Sequence, residues 1–311
     1  MKSLSKGISV IIPCYNHADY LSSQLDQIVA QLDEIHSVIL IDDGSSDHSY
    51  DLMFHYAKFS RKIILLRNKV NEGIPSAVNR ACEFIKSRHV YFASADDQIM
   101  PGFFRDFNRA IDRYPDSGFY FGDIAKVSST GSIICRVKQL NHDEVIWLSP
   151  FEFSHEISKG FRNAPGQTVV FNTLELQQIG FFDKNLGGWL DIYPQYIIGF
   201  RKGVVYLPGI YSIARIADDS WGSMQSKNVK LLRAAGAVFT QKMVSESHLI
   251  PMIKQSGILA YALDSYKILL KTKNLTRMLS LNKIFLMIFR EIWYSLPESV
   301  RMAKIYIVRK K

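Results

Sequence analysis

The chain has 311 residues, of which 47% are hydrophobic and 12% aromatic, so it can bury a large core in one or two domains. Its net charge of +9 lies at the C-terminal end, because residues 267–311 hold eleven Lys or Arg and two acids. The rest of the chain is neutral overall. This distribution argues against a main domain that binds nucleic acid and indicates a basic C-terminal appendage.

Cysteine content and apolar segments indicate the compartment. The three cysteines are odd in number and lack metal-like spacing, which is typical of reduced thiols in a cytosol. The apolar run Ile8–Ile12 is too short for a cleavable signal peptide and stops at Pro13. No segment contains eighteen uncharged apolar residues, so no membrane span is predicted. We therefore expect a cytoplasmic protein.

The first hundred residues repeat one pattern four times: an apolar, β-branched run, then turn residues, then a helical period. Strands that alternate with helices predict a parallel sheet of βα units. The predicted strands are Ile8–Ile12, Val38–Ile41, Ile63–Leu66 and Val90–Ala93. A helix is predicted from about Ala18.

Each of these strands ends in polar residues. The four groups are Pro13–Asn16, Asp42–Asp47, Asn71–Gly73, and Asp96 with Asp97. Ordinary turn chemistry accounts for each group taken singly. The carboxyl ends of parallel strands share one sheet edge, however, so the four groups are predicted to converge there. Carboxylates clustered at one edge imply a cation or hydrogen-bond donors as their partner.

Asp96 and Asp97 have two interpretations. The pair could hold a divalent cation, since Mg²⁺ and Mn²⁺ are typically held by one or two carboxylates plus substrate phosphates and waters. Alternatively, Asp97 could cap a helix that opens near Pro101.

The middle of the chain is less regular. Further strands are predicted at Gly118–Gly122, Ile133–Val137, Val145–Leu148, Gln167–Phe171 and Val204–Leu207. Asp191 follows the glycine pair 187–188 at the start of an apolar helix. It is either a partner of the helix dipole or a catalytic carboxylate that faces the crevice.

From about Trp221 the sequence is predominantly helical, and it ends in the basic, aromatic segment Ile305–Lys311. Such a helical end could lie on an anionic membrane surface. It could equally pack on the main domain with solvated lysines.

The order of these polar groups resembles that of the family 2 glycosyltransferases, and the resemblance covers roughly residues 7–215. The matching segments are Val10–Asn16, Val38–Asp47, Asn71–Gly73 with Asn79, and Ser94–Asp97 with Pro101. The resemblance implies a GT-A fold of the α/β class, with a Rossmann-like, mostly parallel central sheet flanked by helices and a helical C-terminal extension. It also implies a transferase domain over residues 1–217, with a nucleotide-binding half (1–123) and an acceptor half (124–217), followed by a basic helical region over 218–311.

The resemblance also implies roles for individual residues. The residues expected to contact the nucleotide-sugar are Pro13, Tyr15, Asn16, Asp42, Asp43, Asn71, Gly73, Asn79, Ser94, Ala95 and Asp96. Asp96 is expected to contact a divalent cation, Mg²⁺ or Mn²⁺, and Asp191 matches the catalytic base. Ser94 stands where the family has the first Asp of its Asp-x-Asp motif. Val78 and Leu190 likewise replace an Arg and a Glu.

The implied activity is inverting hexosyl transfer from a nucleotide-diphosphate sugar, with UDP expected, to a saccharide or lipid-linked saccharide at the inner face of the cell membrane. Ser94 motivates an alternative, a non-catalytic scaffold that binds sugar nucleotides. A nucleotidyltransferase is disfavoured because no Gly-rich basic loop follows the first strand. A dinucleotide dehydrogenase is disfavoured because no G-x-G-x-x-G is found there.

Overall fold

The structure, a computed structural model, describes residues 4–127, 133–215, 228–262, 264–271 and 275–295. The chain divides into two compact units. The sheet unit comprises residues 1–153, 161–184 and 190–217, and the helical unit comprises residues 154–160, 185–189 and 218–311. The segments 218–227 and 296–311, including the predicted basic tail, lie outside the described residues.

The described residues contain ten strands, all in one sheet. They are β1 Ser5–Cys14, β2 Ser37–Asp42, β3 Ile63–Arg67, β4 Ser87–Phe92, β5 Gln98–Ile99, β6 Phe119–Val127, β7 Ile133–Val137, β8 Ile146–Leu148, β9 Val170–Asn172 and β10 Val204–Arg215. The main path runs β3-β2-β1-β4-β9-β6-β10-β5, with β7 beside β6 and β8 beside β10.

Twelve α-helices lie within the described residues. They are α1 Ala18–Val29, α2 Ser49–Ala57, α3 Ile74–Cys82, α4 Phe103–Arg113, α5 Pro150–Lys159, α6 Thr173–Gln178, α7 Ile192–Lys202, α8 Val229–Ser245, α9 Ile250–Ser256, α10 Ser265–Lys271, α11 Leu275–Met278 and α12 Leu281–Ser295. None of these helices is both long and apolar enough to cross a bilayer.

The first four βα units form the parallel half of the sheet. β1 pairs in parallel with both β2 and β4, and β2 pairs in parallel with β3. Their β-branched residues are buried because helices cover a parallel sheet on both faces, and Ile8, Val10, Ile11 and Ile12 are fully buried. The four predicted strands and the mixed α/β sheet with its helical C-terminal region are confirmed.

The parallel register fixes where the polar groups lie. Cys14 pairs with Asp42, and Asp42 pairs with Arg67, so the loops that follow β1, β2 and β3 are neighbours. The amide of Ala93, just past β4, donates to the carbonyl of Ile11 at 2.9 Å. The strand order β3-β2-β1-β4 therefore brings the four predicted loops to one edge, where open α/β sheets bind ligands.

Three predicted strands have clearly different bounds in the structure. β6 runs past the predicted end at Gly122 to Val127. Residues 166–168 form a 3-10 turn because the Thr168 hydroxyl donates to backbone carbonyls, those of Pro165 and Gly122, and only Val170–Asn172 is extended. β10 runs past the predicted end at Leu207 and continues beside β6 through a register break between Leu207 and Ile210. That irregularity accommodates Pro208 and Gly209 within the strand.

Asp97 does not cap the helix that was predicted near Pro101. The short strand β5 follows Asp97, and the N-cap residue of α4 is Gly102, with no side-chain capping hydrogen bond. β5 pairs in antiparallel fashion with Ser212 and Ile213 of β10. The chain after β4 is therefore held by the sheet before the helix begins.

Candidate active site

The loops after β1 and β2 are joined by hydrogen bonds. The Asn16 side-chain oxygen accepts the amide of Ser46 at 2.9 Å, and the Asn16 amide donates to the Ser45 hydroxyl at 3.0 Å. These contacts hold Asn16 at a φ of 54°, which is uncommon for a residue other than glycine. Next to it, the Tyr15 ring is exposed at this sheet edge. Tyr15 is therefore a surface that a planar base could contact.

Asp43 organises the loop after β3. Its Oδ1 accepts from Asn68 Nδ2 at 2.7 Å and from the Glu72 amide at 3.0 Å, and its Oδ2 accepts the Gly73 amide at 2.8 Å. The carboxylate is almost completely buried. Asn71 adds a further bond, since its side-chain oxygen also accepts the Gly73 amide, at 2.9 Å. The local role of Asp43 is thus to fix the loop containing Asn71 and Gly73, while its contact with a nucleotide stays a prediction.

Asp42 is fully buried and paired with a residue that the sequence analysis did not single out. Its Oδ2 lies 3.0 Å from Arg67 Nε, and its Oδ1 accepts the Ser45 amide at 3.2 Å. The Arg67 guanidinium lies 4.0 Å from the centre of the Tyr50 ring. Arg67 is half-exposed, so it presents a cation at this edge. In the sequence, the position of Arg67 at the end of the third predicted strand is the feature that could have identified it as a site residue.

Gly44 allows the loops after β2 and β3 to touch. Its φ is +75°, and a Cβ atom at this position would lie 2.6 Å from the carbonyl carbon of Val70. The turn therefore requires glycine for both its backbone conformation and its close approach to the next loop.

The segment after β4 leaves one carboxylate accessible. Ser94 is exposed and Asp96 is half-buried, whereas Ala95 and Asp97 are buried. The charge of Asp97 acts on Tyr91, whose pKa is raised first by burial and then by this carboxylate. Asp96 is therefore the carboxylate of this pair that a ligand at the edge would meet.

The residues present fit a cation that is bound together with a phosphate-bearing ligand. Within the described part of the chain, no cluster of three or more His, Cys, Asp or Glu side chains could hold a metal ion. At Asp96, a cation would need phosphate oxygens and waters as its remaining ligands, which is the usual arrangement for Mg²⁺. The Ser94 hydroxyl is a neutral oxygen at the same loop.

Asn79 joins two parts of the sheet unit. Its Nδ2 donates to the carbonyl of Phe182 at 2.8 Å, and its Oδ1 accepts the Phe182 amide at 3.1 Å. The Phe182 ring also packs edge-on against Phe92 at the end of β4, with 4.9 Å between ring centroids. Asn79 thereby fixes the segment before residue 184, and its contact with a nucleotide-sugar stays a prediction.

Asp191 lies at the start of α7 and does not cap it. The helix has no side-chain capping hydrogen bond at this residue. Because α7 leads directly into β10, which is parallel to β6, the first residues of α7 lie at the carboxyl edge of the sheet. Asp191 therefore shares an edge with Asp96. The topology thus puts these two residues, 95 positions apart in the sequence, at one sheet edge.

Asp191 is exposed as a residue, yet its carboxyl is desolvated by the surrounding protein. The residue is exposed by surface area. Desolvation by the surrounding protein nevertheless raises the pKa of Asp191, and the amides of residues 191 and 192 oppose that rise. The turn at Gly166 borders this carboxyl and is part of the protein that desolvates it.

A turn over residues 162–168 lies against Asp191. A Cβ atom at Gly166 would lie 3.3 Å from Asp191 Oδ2, so the backbone of the turn borders the carboxylate. Gln195, on the first turn of α7, bonds the Ala164 backbone twice, to the amide at 2.8 Å and to the carbonyl at 3.2 Å. The buried Tyr91 hydroxyl donates to the carbonyl of Gln167 at 2.9 Å. The sequence analysis did not identify this turn, although the Pro165–Gly166 pair is a local turn signal.

The parallel β3-β2-β1-β4 sheet, with four loops at its carboxyl edge, has the architecture of an α/β domain of GT-A type. Residues 9–134 match the family model described as glycosyl transferase family 2. The match covers 126 of the 311 residues of the chain.

Curated relatives match part of this chain. The poly(ribitol-phosphate) beta-glucosyltransferase of Bacillus spizizenii is 36% identical over 95 residues, which are 30% of this chain and 15% of that protein. The matches to the next two relatives span 29% and 60% of those proteins. The chain thus covers less than two thirds of the length of these relatives.

Solved structures share the fold. S. aureus TarS 1–349 in complex with UDP-GlcNAc superposes with a TM-score of 0.62 at 18% identity, covering 94% of this chain and 82% of that one. The mannosyltransferase PcManGT from Pyrobaculum calidifontis, in complex with GDP-Man and Mn²⁺, superposes with a TM-score of 0.55 at 15% identity, covering 95% and 89%. At these identities the likeness establishes the fold alone.

Proposed function

We propose that the protein is an inverting hexosyltransferase that moves a sugar from a nucleotide-diphosphate sugar, a UDP-sugar by expectation, to a hydroxyl of a saccharide or lipid-linked saccharide. The observation that supports this proposal is the shared sheet edge, because the start of α7, with its exposed and uncapped Asp191, lies at the same edge as the four loops after β1 to β4. The match of residues 9–134 to the glycosyl transferase family 2 model supports the same reaction class.

In the proposed reaction, Asp191 removes the proton of the acceptor hydroxyl. The acceptor oxygen then forms a bond to the anomeric carbon while the bond from that carbon to the diphosphate breaks and its electrons leave with the diphosphate. Attack opposite to the leaving group inverts the configuration. A raised pKa makes the Asp191 carboxylate a stronger base than an ordinary aspartate, and a base is most effective when its pKa lies near the working pH.

Asp96, with the Ser94 hydroxyl beside it, would hold a divalent cation against the diphosphate. When bound, such a cation would neutralise the charge that develops on the leaving group. Tyr15 and Arg67 border the same edge, and their aromatic face and cation suit a base and a phosphate. The hydrogen bonds of the Asn16 and Asp43 side chains would keep the loops after β1, β2 and β3 in place for the donor.

The setting we propose is the synthesis of a surface polysaccharide at the inner face of the cell membrane. One relative acts, by its name, on poly(ribitol-phosphate), and the TarS and PcManGT structures hold UDP-GlcNAc and GDP-Man. The basic C-terminal region supports a peripheral contact with a membrane that holds the acceptor.

A donor screen tests the proposal. The full chain is incubated with UDP- and GDP-sugars and candidate acceptors, with Mg²⁺ or Mn²⁺ added or chelated, and release of the free nucleotide is measured. We expect metal-dependent release with at least one donor. Asp96→Ala should lose the metal-dependent part of donor affinity in calorimetry, and undiminished affinity would remove Asp96 from this role. Donor binding without release from any pair would favour a non-catalytic scaffold.

A further inference from the structure

α12 has its apolar side on the outside. Five large apolar residues lie on one stripe of this helix at the spacing i, i+4, i+7, i+8 and i+11, and each is between 47% and 71% exposed. They are Leu281, Phe285, Ile288, Phe289 and Ile292, and we call them the α12 apolar face. A helix on the surface of a water-soluble domain normally turns such a stripe toward the core.

The opposite side of α12 contains its three charged residues and packs within the helical unit. The Lys283 side chain lies across Gly257, with its ammonium group 5.5 Å from the Tyr261 ring centroid. Arg290 donates to the carbonyl of Tyr261 at 3.1 Å.

The third charged residue, Glu291, accepts from Arg233 at 2.7 Å. Met287, on the same side, is buried. Contacts to fixed partners therefore set the rotation of α12, and the outward position of the α12 apolar face follows from them.

The sequence of the segment that contains α12 is strongly basic, and this charge points to an anionic occupant of the α12 apolar face. Residues 267–311, which include α12, hold eleven basic and two acidic residues, and the rest of the chain is neutral. A second copy of the chain would bring two such basic ends together, which like-charge repulsion disfavours. An acidic phospholipid bilayer has a negatively charged surface with an apolar layer beneath it. It therefore matches both the basic charge of this segment and the exposed apolar face of α12.

The length of α12 indicates how it would meet a bilayer. Its 15 residues extend about 22 Å at 1.5 Å per residue, and the hydrocarbon core is about 30 Å thick. The helix would thus lie in the membrane plane, with its apolar stripe at the boundary between headgroups and acyl chains.

We propose that the α12 apolar face is the membrane-binding element of this protein and that it inserts into the interface of an acidic phospholipid bilayer. This inference deepens the proposed membrane contact, because it assigns that contact to particular residues. The site at the sheet edge has no part in it, so it can be tested without a donor or an acceptor.

The test is vesicle flotation of the full-length protein at about 0.1 M salt. We expect binding to mixed phosphatidylglycerol–phosphatidylcholine vesicles and much weaker binding to phosphatidylcholine alone. Phe285→Ser with Phe289→Ser should weaken binding about tenfold or more, since two aromatic side chains no longer enter the interface. The matched control is Phe54→Ser with Phe59→Ser, which removes two exposed phenylalanines from the region of α2 and should leave binding unchanged.

Circular dichroism and UDP calorimetry report whether each variant is folded, and Leu281→Ser with Ile292→Ser is a second variant for the same face. Equal vesicle binding by the wild type and both α12 variants would overturn the assignment and leave the membrane contact to other basic residues. No binding by the wild type would overturn the membrane contact as well. A dimer in light scattering without lipid, dissociated by the α12 variants, would assign the face to a second copy. None of these outcomes depends on whether nucleotide release is found.

Discussion

Replacing Asp191 by Asn should separate catalysis from folding in this protein. The substitution keeps the shape of the side chain and removes its ability to accept a proton. Asn is also as well tolerated as Asp at the start of a helix, and no capping hydrogen bond of Asp191 is lost. We therefore expect the variant to fold normally and to bind the nucleotide, but to transfer sugar very slowly.

General base catalysis contributes about 10²–10⁴-fold to a rate. A loss of this size corresponds to about 2.7–5.4 kcal/mol of transition-state stabilisation, at 1.36 kcal/mol per tenfold change. The decrease should appear in kcat, whereas the affinity for UDP should stay within about twofold, because UDP lacks the reacting hydroxyl.

The stability of Asp191→Asn should change in the opposite direction to its activity. Desolvation raises the pKa of Asp191 in the folded state above the ordinary value of 3.8. The stability associated with the neutral acid is fully present below pH 3.8 and is lost as the pH rises through the folded pKa. At neutral pH the ionised carboxylate is therefore slightly unfavourable. Since the residue is exposed, solvent screening keeps this effect small, and Tm should be unchanged or slightly higher in the variant.

The assay is steady-state nucleotide release with the best donor and acceptor from the screen, together with UDP calorimetry and thermal melting. Asp116→Asn is the matched control, because this exposed carboxylate precedes β6 at the other edge of the sheet. In the wild type, kcat should rise with pH through the raised pKa of Asp191, and this step should vanish in Asp191→Asn. Full turnover by Asp191→Asn would refute the assignment of Asp191 as base.

Three further predictions concern the surroundings of the site. Gly166→Ala places a Cβ 3.3 Å from Asp191 Oδ2 and should lower kcat about three- to tenfold at unchanged donor affinity; an unaltered kcat would mean that the turn does not position the carboxylate. Asp43→Ala leaves the buried Asn68 side-chain amide and the Glu72 backbone amide without this acceptor and should lower the free energy of unfolding in urea by about 1–3 kcal/mol, while Asp51→Ala on α2 should have little effect. Burial lowers the pKa of His89 from 6.5 to about 4, so the unfolded chain binds a proton between these pH values and the folded one does not. Stability should thus fall by about 3 kcal/mol as the pH drops through that window, and His89→Leu should remove this dependence; an unchanged pH profile in that variant would contradict the reasoning.

Much of the parallel half of the sheet could be predicted from the sequence because both of its signals are local. Runs of β-branched residues mark buried parallel strands, and Asn, Asp, Gly and Ser mark the turns between them. Parallel pairing then requires the loops after β1 to β4 to share an edge, as they do. The less regular segment 166–172 was predicted less well, since Thr168 closes a turn through bonds to Gly122 and Pro165 that the sequence does not reveal.

The tertiary structure decided how individual side chains are used. Asp42 and Asp43 are adjacent and chemically identical, yet one pairs with Arg67 and the other bonds the backbone at residues 72–73. Which donors surround a carboxylate depends on residues distant in the sequence, so composition cannot distinguish the two.

The C-terminal region shows the same division. Its sequence by itself determined that α12 is a helix and that this end of the chain is basic, because both follow from residue types and their spacing. Only the tertiary structure decided that the apolar side of α12 faces outward. The contacts of Lys283, Arg290 and Glu291 set its rotation, and helical periodicity alone cannot reveal which side meets the rest of the protein.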